Sequence, residues 1–170
     1  MAAFSKEESL QHPLDFRLLQ NAPVAIYHSA AVLETDLKTL SGLGYRVDRI
    51  DLATCSSGQR FYDAISAALE FPSYFGRNRN AFIDVMGDLN IPEQGGRVIV
   101  FTNAHRFPQS ELSDLVEDLA STARSHLLLG KRLISIIQTD RKDQQFEATL
   151  SIALLNPTET WTQSKDPASE

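Results

Sequence analysis

Three short runs of apolar residues dominate the sequence: Val24-Ala25-Ile26-Tyr27, Val98-Ile99-Val100-Phe101 and Leu133-Ile134-Ser135-Ile136-Ile137. Each is too short for a buried helix and lacks the polar alternation of a strand with one wet face. Runs of this kind are strands covered on both sides, as in a parallel sheet. A fourth, less apolar strand is expected over Tyr45–Leu52, where Val47, Ile50 and Leu52 recur. Helical spacing fills the intervals. Ser29 stands as an N-cap before Leu33, Leu37 and Leu40, and Gly42 and Gly44 end that helix. Ser56 followed three residues later by Gln59 gives a capping-box pattern ahead of Phe61, Ile65, Ala68 and Leu69, and Pro72 stops the stripe. A further helix is expected over about 76–89. Leu112, Leu115, Val116, Leu119, Ala123 and Leu127 mark a long amphipathic helix from near Ser110, with Gly130 just past its end. Strands alternating with helices predict an α/β fold: a small, mainly parallel sheet with helices packed on it.

Residues 1–22 show no sustained period and are expected to be a partly ordered lead-in. Residues 23–155 are expected to form one domain. Within it, Phe146, Ala148, Leu150, Ile152 and Leu154 alternate as a C-terminal half-buried strand, and 156–170 reads as a flexible tail. No repeats occur.

Charge and cysteine content narrow the function. Twenty-two acids against sixteen Lys plus Arg give a net charge of −6, which disfavours nonspecific contact with nucleic acid and suits a basic protein partner. The single cysteine, Cys55, excludes an internal disulfide, and no Cys/His cluster has metal-ligand spacing. With neither a signal peptide nor a bilayer-length apolar run in view, a cytoplasmic protein without membrane contact is expected. Asp84 and Asp88, four residues apart, could share a metal. His28, His105 and His126 form no nucleophile–base–orienter pattern with Cys55 or the acids, so neither enzyme activity nor a cofactor is expected.

The segment 76–89 is unusual on a helical wheel. Asn78, Ala81, Phe82, Val85, Met86 and Leu89 make one broad side, a core stripe. The other side gathers Gly76, Arg77, Asn80, Ile83, Asp84 and Gly87, with Asp88 at its edge. A helix surface that only meets water favours Glu, Lys and Ala. Two bare glycines, one aliphatic anchor and a central carboxylate instead describe a contact surface. Asn78 reads as the residue that caps this helix and fixes the loop before it. Arg77 and Arg79, near the helix start, allow a competing reading as an anion-binding module, since free N–H groups and the dipole favour phosphate there.

The stretch Phe71-Pro72-Ser73-Tyr74-Phe75-Gly76-Arg77-Asn78-Arg79-Asn80-Ala81-Phe82-Ile83-Asp84 resembles the central segment of the barstar family: Pro, two aromatics, Gly and Asn at fixed spacing, then a helix bearing Asp. A looser match runs over 45–138. The resemblance implies a barstar-like sheet extended by an added N-terminal strand–helix unit and a C-terminal strand. It also implies a proteinaceous inhibitor, monomeric when free, that plugs the active site of a secreted or toxin-type ribonuclease. Tyr74, Gly76, Arg77, Asn80, Ile83, Asp84 and Gly87 would form the contact surface, with Asp84 as the family's central aspartate, the mimic of RNA phosphate. The chain departs from the family type at four positions. Asn80 replaces a second aspartate, Ile83 a tryptophan, and Arg77 and Arg79 add positive charge.

Overall fold

A computed structural model describes residues 13–21, 23–144 and 146. The expected C-terminal strand over 146–154 and the tail over 156–170 lie outside the described residues, Phe146 excepted.

The four expected strands form one sheet: β1 (Val24–Tyr27), β2 (Tyr45–Asp51), β3 (Gly96–Thr102) and β4 (Leu133–Gln138). Their order is β1-β4-β3-β2 and every pairing is parallel. The helices are α1 (Leu14–Asn21), α2 (Ala30–Gly42), α3 (Gly58–Leu69), α4 (Arg79–Gly87) and α5 (Gln109–Leu128), with single 3-10 turns at Leu52–Thr54 and Ala104–Arg106.

Connectivity explains the layering. The β1-to-β2 connection crosses the sheet in one direction, whereas β2-to-β3 and β3-to-β4 step back in the other. Crossovers of a common hand must then put α2 on one face and α3, α4 and α5 on the opposite face. Two apolar cores follow. Leu33, Leu37 and Leu40 of α2 and Leu14 and Leu18 of α1 pack with Val98, Val100, Ile134 and Ile136. On the far side Phe61, Phe82, Leu112 and Leu119 pack with Ile50, Ile99, Phe101 and Ile137. Successive residues of β3 and β4 thus enter different cores, which is why those strands read as unbroken apolar runs.

Three boundaries differ from the sequence reading. α1 forms inside the expected lead-in, held by buried Leu14, Leu18 and Leu19 and by Asp15, which accepts from Tyr45 Oη at 2.9 Å and from Arg132 at 3.2 Å. The cap of α3 is Ser57, whose Oγ accepts from Arg60 N, and not Ser56. α4 begins at Arg79, three residues later than expected, because Asn78 is its N-cap and Arg77 takes left-handed backbone with φ 49°. β1 lengthens the sheet beside β4, so the added N-terminal strand lies at an edge.

Candidate functional site

The surface of interest begins where α3 stops. Glu70 leaves the helix in left-handed conformation, and Phe75 N donates to Pro72 O at 3.0 Å, closing a turn. The two aromatics of that turn part company. Phe75 is buried edge-on against Phe71 (centroids 5.0 Å) and Tyr62 (5.9 Å), whereas Tyr74 is 79% exposed. Aromatic packing of this kind fixes the loop's path. The loop therefore presents Tyr74 because Phe75 anchors it.

Asn78 then sets the helix. Its Oδ1 accepts from Ala81 N at 3.0 Å and its Nδ2 donates to Gly76 O at 3.1 Å, so one side chain ties loop and helix together. A Cβ on Gly76 would sit 3.1 Å from that Nδ2 and 3.4 Å from the Ala81 methyl, which explains the glycine. Asn78 is exposed and caps; it does not pack in the core stripe. Phe82, Val85, Met86 and, beyond the helix, Leu89 are buried as the wheel implied.

Two arginines and a histidine clamp the platform. Arg77 Nε donates to Asp63 of α3 at 2.6 Å. Arg79 makes a two-point contact with Asp118 of α5, both bonds 2.9 Å, and a third with Asp114 at 3.0 Å. The hydrogen bond to Asp118 pushes the Arg79 guanidinium well above its ordinary value despite some burial. His126 Nε2 lies 2.8 Å from Met86 O, a carbonyl that can only accept, so the ring N–H donates to the last turn of α4. The positive charge near this helix is thus absorbed by acids from α3 and α5. Counting charges along the loop did not reveal this, since Asp63, Asp114 and Asp118 are distant in sequence.

What remains outward is the expected set. Gly76, Arg77, Asn80, Asp84 and Gly87 are exposed and Ile83 is 41% exposed. Gly76 and Arg77 belong to the loop and not to the helix. Among the described residues the Asp84 carboxylate has no hydrogen-bond or ion-pair partner, and neither has the Asn80 amide. Gly87 has open space where a Cβ would stand. Asp88 follows as the helix C-cap, and no group of three or more ligating side chains able to hold a metal is found among the described residues.

The site is thus a small parallel α/β fold that displays an aromatic loop and one short helix, with the Asp84 carboxylate on its outer side. The family model described as Barstar (barnase inhibitor) matches residues 45–151, and the chain belongs to the barstar family. The matched span begins with β2 and contains the loop and α4, while α1, β1 and α2 precede it. No curated protein matches the sequence. Among solved structures the chain is similar to one in "Structure of Drosophila ORC bound to DNA", with 15% identity, a TM-score of 0.51, and coverage of 88% of this chain and 44% of that one. It is also similar to a chain in "Structure of AMPPCP-bound DnaA from Aquifex aeolicus", with 16% identity, a TM-score of 0.37, and coverage of 87% and 42%. This chain spans less than half the length of either neighbour, and the first likeness is one of fold. Among the described residues no helix is long and apolar enough to cross a membrane.

Proposed function

We propose that this protein binds a ribonuclease one-to-one and blocks its active site, with Asp84 occupying the position of an RNA phosphate. The observation that carries the reading is the Asp84 carboxylate, exposed and unpartnered among the described residues on a helix that α3 and α5 hold at three points, counting the loop that leads into it. A ribonuclease site gathers cationic donors for phosphate, and a carboxylate can accept the same charge-assisted hydrogen bonds. A preset platform spends little ordering entropy on binding. Tyr74 and Ile83 supply apolar contact around the charge, and Asn80 offers a neutral donor and acceptor. The mechanism is occlusion and mimicry without bond-making, by a cytoplasmic monomer acting on a secreted or toxin-type enzyme.

Membership in a family described by barnase inhibition supports this reading. The competing one, an anion-binding module, needs free cations at the start of α4. Both Arg77 and Arg79 are engaged by carboxylates there, and Asn78 already fills the cap.

The test is inhibition of RNA cleavage by barnase, with calorimetry for stoichiometry. Asp84→Ala should weaken the complex by at least about 2 kcal/mol, roughly thirtyfold, the size expected of a central interface residue. Its thermal unfolding should not be lowered, because the side chain supports nothing in the fold. A variant that inhibits as well as the parent removes Asp84 from the centre of the interface.

A further inference from the structure

Beside the Asp84 face lies a cavity of about 290 Å³, at the low end of the range for small-molecule sites. Leu69, Phe71, Pro72, Tyr74, Val85 and Leu89 give it carbon walls, and Asp88 stands among its lining residues. Its charges are informative. Arg97 lines the cavity but is neutralised by Asp48 at 2.6 Å, and it donates to Asn90 O and Leu69 O at 3.0 and 3.4 Å. Glu70 is held by Arg46 at 3.0 Å. Asp88 alone among the charged lining residues has no partner among the described residues, so the cavity carries an uncompensated negative charge.

We infer that this cavity receives one arginine or lysine side chain of the protein partner, its methylene stem against Tyr74, Pro72 and Leu89 and its cationic head on Asp88. The inference rests on the ribonuclease reading for the identity of the partner, but not for the chemistry of the occupant. A long cationic side chain is the natural complement of carbon walls and one carboxylate, because stem and head are satisfied separately. The Tyr74 ring adds an attractive face for the cation. An acidic side chain would meet Asp88, and a purely apolar one would leave that carboxylate facing carbon.

Asp88 is also placed at a cost. Anions at a helix C-terminus oppose the macrodipole, and Asp84 and Asp88, four residues apart, repel each other on one helix side. Nothing within the described residues compensates either placement, which is expected where a residue serves a partner.

Two measurements separate this inference from the ribonuclease reading. The first is titration of the isotope-labelled protein with N-acetyl-argininamide, followed by NMR, against N-acetyl-norleucinamide and N-acetyl-glutaminamide. Shifts confined to Tyr74, Val85, Asp88 and Leu89 should appear with the arginine compound and vanish in Asp88→Asn. Equal shifts with norleucine, or none with arginine, overturn the inference even if barnase is inhibited. The second is binding of barnase to Asp88→Asn. About tenfold weaker affinity is expected, with a shallower dependence on salt and a melting temperature equal to or slightly above the parent's. Loss on Asp84→Ala with no change on Asp88→Asn overturns the cavity inference and leaves the ribonuclease reading standing. Arginine-specific shifts without any barnase binding support the cavity inference and overturn the reading for a barnase-type enzyme.

Discussion

Gly87→Ala should raise the stability of the free protein and lower its affinity for the partner. Gly87 is the last residue of α4, is exposed, shows no left-handed φ, and has nothing within 4 Å of a built Cβ. An alanine there meets no steric objection and removes unfolded-chain entropy. The gain in a helix interior is about 0.5–1 kcal/mol, and at the helix end the lower figure applies. For a chain of this length that corresponds to a rise in Tm of about 1–2 °C. On the contact surface the same methyl stands between helix backbone and partner. Overpacking of a fitted surface costs about 1–2 kcal/mol, or roughly five- to thirtyfold in affinity. Differential scanning calorimetry and inhibition of barnase read the two effects separately. A variant that is more stable and binds equally well refutes the idea that this glycine exposes backbone for contact. A less stable variant refutes the account of the helix itself.

His126→Ala should destabilise the fold by about 2–4 kcal/mol in urea titration, since it opens a cavity and removes the 2.8 Å bond from the ring to the Met86 carbonyl, which keeps only the backbone N–H groups of Asp88 and Leu89. His126→Gln should recover part of the loss. Alkali should unfold the protein steeply. Burial, then hydrogen bonding to Asp36, raises the Tyr27 hydroxyl well above the ordinary tyrosine value, and burial, then the charge of Asp15, does the same for Tyr45. The folded state therefore keeps two protons that the unfolded chain releases near pH 10. This stability is complete below about pH 10 and falls by about 1.4 kcal/mol per pH unit for each tyrosine above it. Urea midpoints between pH 9.5 and 11.5 measure the slope, and Tyr45→Phe should lower it by up to about 1.4 kcal/mol per pH unit.

The fold was legible because parallel-sheet burial leaves a plain mark. Val98 to Phe101 and Leu133 to Ile137 are apolar on both faces, and glycines at 44 and 130 adopt the positive φ that ends α2 and α5. Helix α1 left a weaker mark: it has only eight residues, its apolar contacts come down to Leu14, Leu18 and Leu19, and its other tie is a buried Asp15 bonded to Tyr45 and Arg132, groups far away in sequence. The same limit applies at the site. Asn80, Ile83 and Asp84 fall on the exposed side because local spacing sets a helix face. The clamps on that helix join Arg77 to Asp63, Arg79 to Asp118 and Met86 to His126, across 14, 39 and 40 residues. The role of Asp88 also emerges only in space, where Glu70 and Arg97 prove to be neutralised and it does not.

The two arginines change the sign of the surface less than their letters imply. Asp63, Asp114 and Asp118 lie within ion-pair distance of Arg77 and Arg79, and Glu117 stands 3.8 Å from Arg79. Two cations against four acids leave −2 at that end of the helix, and Asp84 and Asp88 make it −4. Arg77→Glu frees Asp63 and shifts the local charge by a further two units toward negative. The Arg77–Asp63 pair is about half exposed, so its loss costs the fold no more than about 1 kcal/mol. Both side chains carry a Cβ, so the left-handed backbone at 77 is equally strained in each. A basic ribonuclease should therefore associate severalfold faster with Arg77→Glu at low salt, and the advantage should fade as ionic strength shortens the screening length to about 3 Å near 1 M. Stopped-flow association with barnase over a salt series reads this. An unchanged or slower rate at low salt would mean that Arg77 meets an acid on the partner, and that shape rather than net charge governs the encounter.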